Sequence, residues 1–280
     1  MTAVDRHIEL PLTRLEPAGR WAWFNPRELW AHRELWYFFI WRDVKVRYKQ
    51  TVLGAAWAVL QPAFLAVIFS FVFASHLNSP STPYPIFVFA GLAVWSCFAT
   101  GVTSAANSLV DSERLVTKVY FPRLLIPLAA LGSACIDLLV TTAVLCVLML
   151  GCGIIPAATA PLAILAVAVM LLTAAGVGSL LAALNVRYRD FRYTLSFLLQ
   201  AWMFSTPAIY WGETNSLPPL ARWFLCLNPL HGSIAFFRAA ILGGDLPWDL
   251  LALGTLVAVF LVLLGTVYFR QVEDSFADII

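Results

Sequence analysis

Six apolar runs between Leu53 and Phe269 constrain this chain more than any motif it carries. A helix needs about 20 mostly apolar residues to cross the hydrocarbon of a bilayer. The runs fall at Leu53–Ala74, Ile86–Ser108, Leu124–Cys152, Pro161–Leu184, Leu195–Tyr210 and Trp248–Phe269. Charged residues make up only 12% of the 280 residues and hydrophobic ones 61%, against about a quarter charged in a typical soluble domain. So little charge cannot cover a wetted surface. The predicted class is an all-α integral membrane protein with six transmembrane helices, and a soluble globular enzyme is excluded.

The basic residues orient those helices. Nine Lys and Arg precede the first run, Arg114, Lys118 and Arg123 follow the second, Arg187, Arg189 and Arg192 follow the fourth, and Arg270 follows the sixth. With six spans these sixteen of the eighteen share one side, and only Arg222 and Arg238 lie opposite. The positive-inside rule makes the crowded side cytoplasmic. Both termini are then expected in the cytoplasm of a multi-pass protein of a bacterial plasma (inner) membrane. The N-terminal segment lacks the apolar core of a cleavable signal peptide, so the first span is expected to be an uncleaved anchor. The expected organisation is a tail and interface helix over 1–52, a six-span domain over 53–270 and a short cytoplasmic tail over 271–280.

Just before the first span, RDVKVRYKQ sets Arg42, Lys45 and Lys49 on one side of a helix and Trp41, Val44 and Tyr48 on another, with Arg47 adding charge. This pattern predicts an amphipathic helix in the cytoplasmic interface, in contact with membrane lipids. On the outer side, LPPLARWFLCLNPLHGSIAFFRAAILGG holds two apolar patches split at Asn228-Pro229. Each is too short to span. Two short re-entrant helices are expected there, the second ended by Gly243-Gly244.

Signatures of covalent chemistry are missing. There is no GxxxxGK[ST], HExxH or GxSxG, and the four His are scattered. The five Cys lack CxxC spacing and read as buried hydrophobes, not metal ligands. A net charge of +2 gives no footprint for nucleic acid. No catalytic residue, metal or cofactor is expected in this chain.

The second cytoplasmic loop, DSERLVTKVYFPRLLIP, carries a helix-length patch: Leu115, Val116, Thr117, Lys118, Val119, Tyr120 and Phe121, stopped by Pro122. An exposed apolar knob in a charged loop is costly unless something covers it. Packing on the membrane surface and docking of a partner protein both satisfy that demand. This loop, the segment RDVKVRYKQTVLGAAWAVLQP, the later NVRYRDFRYTLSFLLQ and LNPLHGSIAFFRAAILG together resemble the membrane subunits of type-2 ABC exporters. Among those they are similar to the polysaccharide branch, the O-antigen, capsule and teichoic-acid permeases. The resemblance covers nearly the whole chain. It implies a homodimer carrying two copies of a separate ABC ATPase, with ATP and Mg bound by that partner. It also implies that residues 115–122 form the coupling helix docking into the ATPase.

Trp57, Phe64 and Phe71 repeat every seventh residue along the first span, and Phe197, Trp202 and Phe204 enrich the fifth. Such aromatics can face lipid, pack between helices or offer flat faces to sugars, and the resemblance implies a channel lined from these two segments. Asp137 is the carboxylate set deep in a span, with Ser133 and Thr141 a turn away on either side. It fits a channel lining, a helix–helix latch or a structural polar contact. Ala174, Gly178 and Ala182 form a small-residue face for close helix packing. The expected function is export of a lipid-linked polysaccharide. The alternatives are export of a small hydrophobic molecule on the same fold, or a membrane enzyme acting on lipid-linked sugars.

Overall fold

The computed structural model describes residues 30–49, 56–73, 83–118, 121–188, 190–210, 219–273 and 276. Among them every regular element is helical. The α-helices are α1 (Arg33–Tyr48), α2 (Ala56–Phe73), α3 (Tyr84–Asp111), α4 (Glu113–Lys118), α5 (Leu125–Gly151), α6 (Ala163–Arg187), α7 (Phe191–Ser205), α8 (Pro219–Leu227), α9 (Pro229–Leu242) and α10 (Trp248–Val272).

Four of these are long and apolar enough to cross a membrane: α3, α5, α10, and α6 together with the 3₁₀ turn that leads into it. The other two expected spans are shorter. α2 has 18 described residues with Pro62 inside it, and α7 has 15. The sequence expectation for the fifth span, Leu195–Tyr210, is displaced: the helix starts at Phe191 and ends at Ser205. Pro207 explains the early stop, because proline lacks an N–H and disfavours helix in the residue before it.

α3 is the post around which the rest is packed. Its run Ile86–Trp95 is buried without interruption, as expected for a helix apolar on all sides. α5 and α6 flank it, and α2, α9 and α7 also touch it. The closest crossing joins α6 to α10, where Gly176 and Gly265 face each other's helix and a Cβ on either would overlap backbone atoms. Gly178, from the small-residue face read in the sequence, meets Ala105 of α3 instead.

Two ends can be distinguished by what gathers there. At one, Phe39 of α1, Val116 of α4, Phe121, Val186 of α6 and Phe269 of α10 share an apolar cluster. At the other, α8 and α9 meet at Asn228, as the split apolar segment predicts. The Asn228 side chain accepts from the Leu230 N–H at 3.1 Å, capping α9 with Pro229 in its first turn. α9 ends at Gly243, whose φ of +88° suits glycine. The carbonyls of Ala240 and Ile241 accept from Thr159 Oγ1 and the Ala157 N–H, both at 3.0 Å.

The α6–α10 crossing yields a stability prediction. Gly176→Val should cost about 2–3 kcal/mol, since the new atoms meet backbone and force the helices apart. Gly151→Ala has open space around it and should be neutral. Thermal midpoints of the detergent-solubilised proteins check this, and equal midpoints would contradict the close crossing.

Candidate functional site

α1 lies along α5, so its charges have two fates. Phe39 is buried, Ile40 packs over Gly132, and at the C-terminal end Arg47 and Tyr48 reach Asp137. Arg47 Nη1 lies 3.0 Å from Asp137 Oδ2 and donates to Ser133 Oγ at 3.0 Å. The Tyr48 hydroxyl donates to the other carboxylate oxygen. Burial, then the Asp137 carboxylate, push the Tyr48 phenol up to about 12. It therefore stays a donor at any physiological pH.

Of the apolar side expected for α1, Tyr48 departs, its hydroxyl drawn into the protein toward Asp137. Arg47 points into the protein with Tyr48, and Trp41 points out. Lys45 and Lys49 are exposed, Lys45 lying 5.1 Å from the Trp41 ring centre, and Arg42 pairs with Asp43 at 2.8 Å. Asp137 thus sits at a contact between α5 and α1.

The loop after α3 also departs from the exposed knob anticipated. Phe121 is 6% exposed and packs against Phe39 with ring centres 5.5 Å apart. Val116 and Pro122 are buried and Leu115 is half-buried. Thr117 and Lys118 face outward, while Val119 and Tyr120 lie outside the described residues. The apolar side chains are covered by the chain's own α1 because both elements share the same end cluster. Between α1, α4 and the facing parts of α3 and α5 lies a cleft of about 810 Å³, lined by charged and apolar side chains, among them Arg42, Arg47, Glu113, Arg114, Val46 and Leu115.

The aromatic candidates separate into two groups. Trp57, Phe64 and Phe71 form an outward face on α2, with Phe71 92% exposed. Phe197 and Phe204 are outward on α7. Trp202 is turned inward: its ring meets Phe98 edge-on at 5.1 Å and its indole N–H donates to Asn228 Oδ1 at 3.2 Å. α2 packs on α3 and α5, α7 on α3 and α6, so the two outward faces sit on different flanks of the chain.

What holds α7 was not singled out in the sequence. Asn228 Nδ2 donates to Thr206 Oγ1 at 2.8 Å. Arg238 of α9, buried, donates through Nη1 to the Pro207 carbonyl at 2.8 Å, through Nη2 to that of Ala208, and through Nε to that of Phe87 at 3.0 Å. Its guanidinium also stacks 3.7 Å from the Phe87 ring centre, which leaves room only for glycine at position 91. The Tyr84 hydroxyl donates to the Ile209 carbonyl at 2.9 Å. These groups satisfy the carbonyls of Pro207, Ala208 and Ile209, in the turn that follows α7. A lone Arg inside a short apolar helix was the available signal. Among the described residues no cluster of three His, Cys, Asp or Glu could hold a metal.

Known proteins resemble this chain over most of its length. The sequence profile of a family described as ABC-2 type transporter matches residues 34–242. An O-antigen export system permease protein RfbA from Myxococcus xanthus is 29% identical over 254 residues, covering 90% of this chain and 97% of the relative. One from Klebsiella pneumoniae is 27% identical over 240 residues, covering 85% and 92%. The polysialic acid transport protein KpsM of Escherichia coli is 23% identical over 245 residues, covering 84% and 92%.

The Arg47–Asp137 contact can be weighed by a double-mutant cycle. Arg47→Ala should be destabilising because it strands a carboxylate inside the bundle. Adding Asp137→Ala should recover part of the loss, with a coupling of about 1–2 kcal/mol. Thermal unfolding of the four proteins measures it, and additive losses would show that the two groups do not interact.

Proposed function

This chain belongs to the ABC-2 type transporter family, and from that premise we propose that it is the membrane subunit of an exporter for a lipid-linked polysaccharide. The exporter is a homodimer in a bacterial inner membrane with two ABC ATPase subunits on its cytoplasmic side. ATP and Mg belong to those subunits, and this chain supplies the path. The observation that carries the reading is the aromatic face of α2, backed by relatives whose names specify polysaccharide export.

Trp57, Phe64 and Phe71 recur about every 10 Å along the helix at 1.5 Å per residue. Flat apolar faces can support a sliding sugar chain without holding any one unit tightly. One chain leaves its α2 and α7 faces apart, and a second copy can bring the α2 face of one opposite the α7 face of the other. Asp137 and Trp202 support the path from inside their helices. The outward aromatics of α1, among them Tyr37, Phe38 and Trp41, suit the membrane boundary with Lys45 and Lys49 among lipid phosphates.

The end holding α1, α4 and the close of α10 is the cytoplasmic one, following the basic residues. The ATPase docks at α4 and the residues after it, through Thr117, Lys118 and the flanking Val119 and Tyr120. Force on α4 passes by Phe121 to Phe39, along α1 to Arg47, and by Asp137 into α5.

Replacing Trp57, Phe64 and Phe71 together by Ala should reduce export of labelled undecaprenyl-linked glycan by an order of magnitude or so, with ATPase binding retained. Normal export would leave the stripe as a lipid-facing surface. Orientation is read separately in a cysteine-free background. An impermeant thiol reagent added outside should label a cysteine at Asp245 and spare one at Asp111, and the reverse pattern would invert the topology.

A further inference from the structure

The end of α10 turns back onto the loop that follows α4. Glu273 Oε1 accepts from the Arg123 backbone N–H at 3.1 Å, and its Oε2 lies 3.2 Å from Arg270 Nη1. The Arg123 guanidinium in turn donates to the Glu273 carbonyl. Three residues on, Phe276 is fully buried, its ring meeting Phe269 edge-on at 5.2 Å. Arg123 is two residues from Phe121, the side chain that packs on Phe39 of α1. Glu273 and Phe276, beyond α10, thereby join α10, the start of α5 and the exit of the α4 loop.

The chemistry of this junction is directional. Arg123 precedes the first turn of α5, where N–H groups lack partners within the helix and a carboxylate is favoured. Glu273 supplies that carboxylate from 150 residues away. Charge-assisted hydrogen bonds of this kind are stronger than neutral ones. Phe276 adds an apolar anchor in the same cluster as Val116 and Phe121. A loop that must transmit force loses the stroke if its far end is loose, since the displacement is then absorbed by local opening.

We propose that Glu273 and Phe276 are positioning residues for transport, clasping the exit of the α4 loop so that its displacement moves the spans together. The proposal rests on the reading of α4 as the ATPase-docking element. The segment expected as a plain cytoplasmic tail is in this view part of the transmission.

The test uses the full-length permease with its ATPase in lipid nanodiscs and reconstituted vesicles, comparing Glu273→Ala and Phe276→Ala with the parent. Amide exchange over residues 112–123 should quicken on the order of tenfold, as expected on losing a charged or buried anchor. ATP turnover should persist while glycan exported per ATP falls about fivefold or more, and Phe276→Leu, close in volume, should restore most of the ratio. Unchanged exchange in both variants would overturn the clasp. Faster exchange with an unchanged ratio would overturn its role in transport. If Glu273→Ala cannot be recovered as a complex, Glu273→Gln keeps the shape, weakens the contact and is held to the same two readouts. The docking premise fails separately if Thr117→Trp, on the outward side of α4, leaves ATPase recovery intact, and that result does not alter the exchange measurement.

Discussion

Inside hydrocarbon every backbone N–H and C=O must find a partner within the protein, and the distribution of polar side chains here follows from that requirement. Continuous helices meet it alone, which is why α3, α5, α6 and α10 need few polar residues along their lengths. Where the chain breaks between α7 and α9, the released groups need side chains. Arg238, Asn228 and Tyr84 are the ones that serve the residues from Thr206 to Ile209. Without Arg238 and Tyr84 the carbonyls of Pro207, Ala208 and Ile209 would be left unsatisfied, at a cost of several kcal/mol. The break between α7 and the short helices α8 and α9 therefore depends on that guanidinium and amide being in place.

The same rule divides the chain into two working ends. The α9 end is fixed by hydrogen bonds with defined geometry, which resist sliding. The α4 end combines apolar packing of Phe39, Val116, Phe121 and Phe269 with the Glu273 contacts to Arg123 and Arg270. α7 is anchored at its Ser205 end and presents Phe197 and Phe204 outward along the rest of its length.

Much of the architecture was legible because its signals are local. Apolar length marked the four long helices, Asn228-Pro229 marked the break, and Gly243 marked the stop, each a signal carried within its own segment. The errors concern which face a side chain takes, and that depends on partners far away in sequence. Arg47 and Lys45 look alike in RDVKVRYK, and only Asp137, ninety positions on, draws Arg47 inward. Phe121 reads as an exposed knob until Phe39 is placed over it. Trp202 and Phe204 share a segment, yet the indole N–H finds Asn228 and turns Trp202 to the core side. The polar atom decided the orientation, and apolar periodicity carries no information about it.

Asp137 shows how such a distant partner constrains assembly. A carboxylate at that depth costs about 3 kcal/mol on insertion scales, a penalty that α5, otherwise apolar, carries until a partner meets the charge. Its charge is met by Arg47, its second oxygen by Tyr48, and both come from a helix synthesised earlier. α1 must therefore stay near the surface until α5 enters and then dock along it. Ion pairs of this sort contribute little net stability compared with apolar packing, yet they punish every wrong register. A one-turn slip of α1 would strand both Arg47 and Asp137 and lift Phe39 off Phe121. The pair thereby fixes the register between α1 and α5 and, through the two phenyl rings, the place of the α4 loop. The position of the α4 loop is set by a half-buried charge about three helical turns into α5.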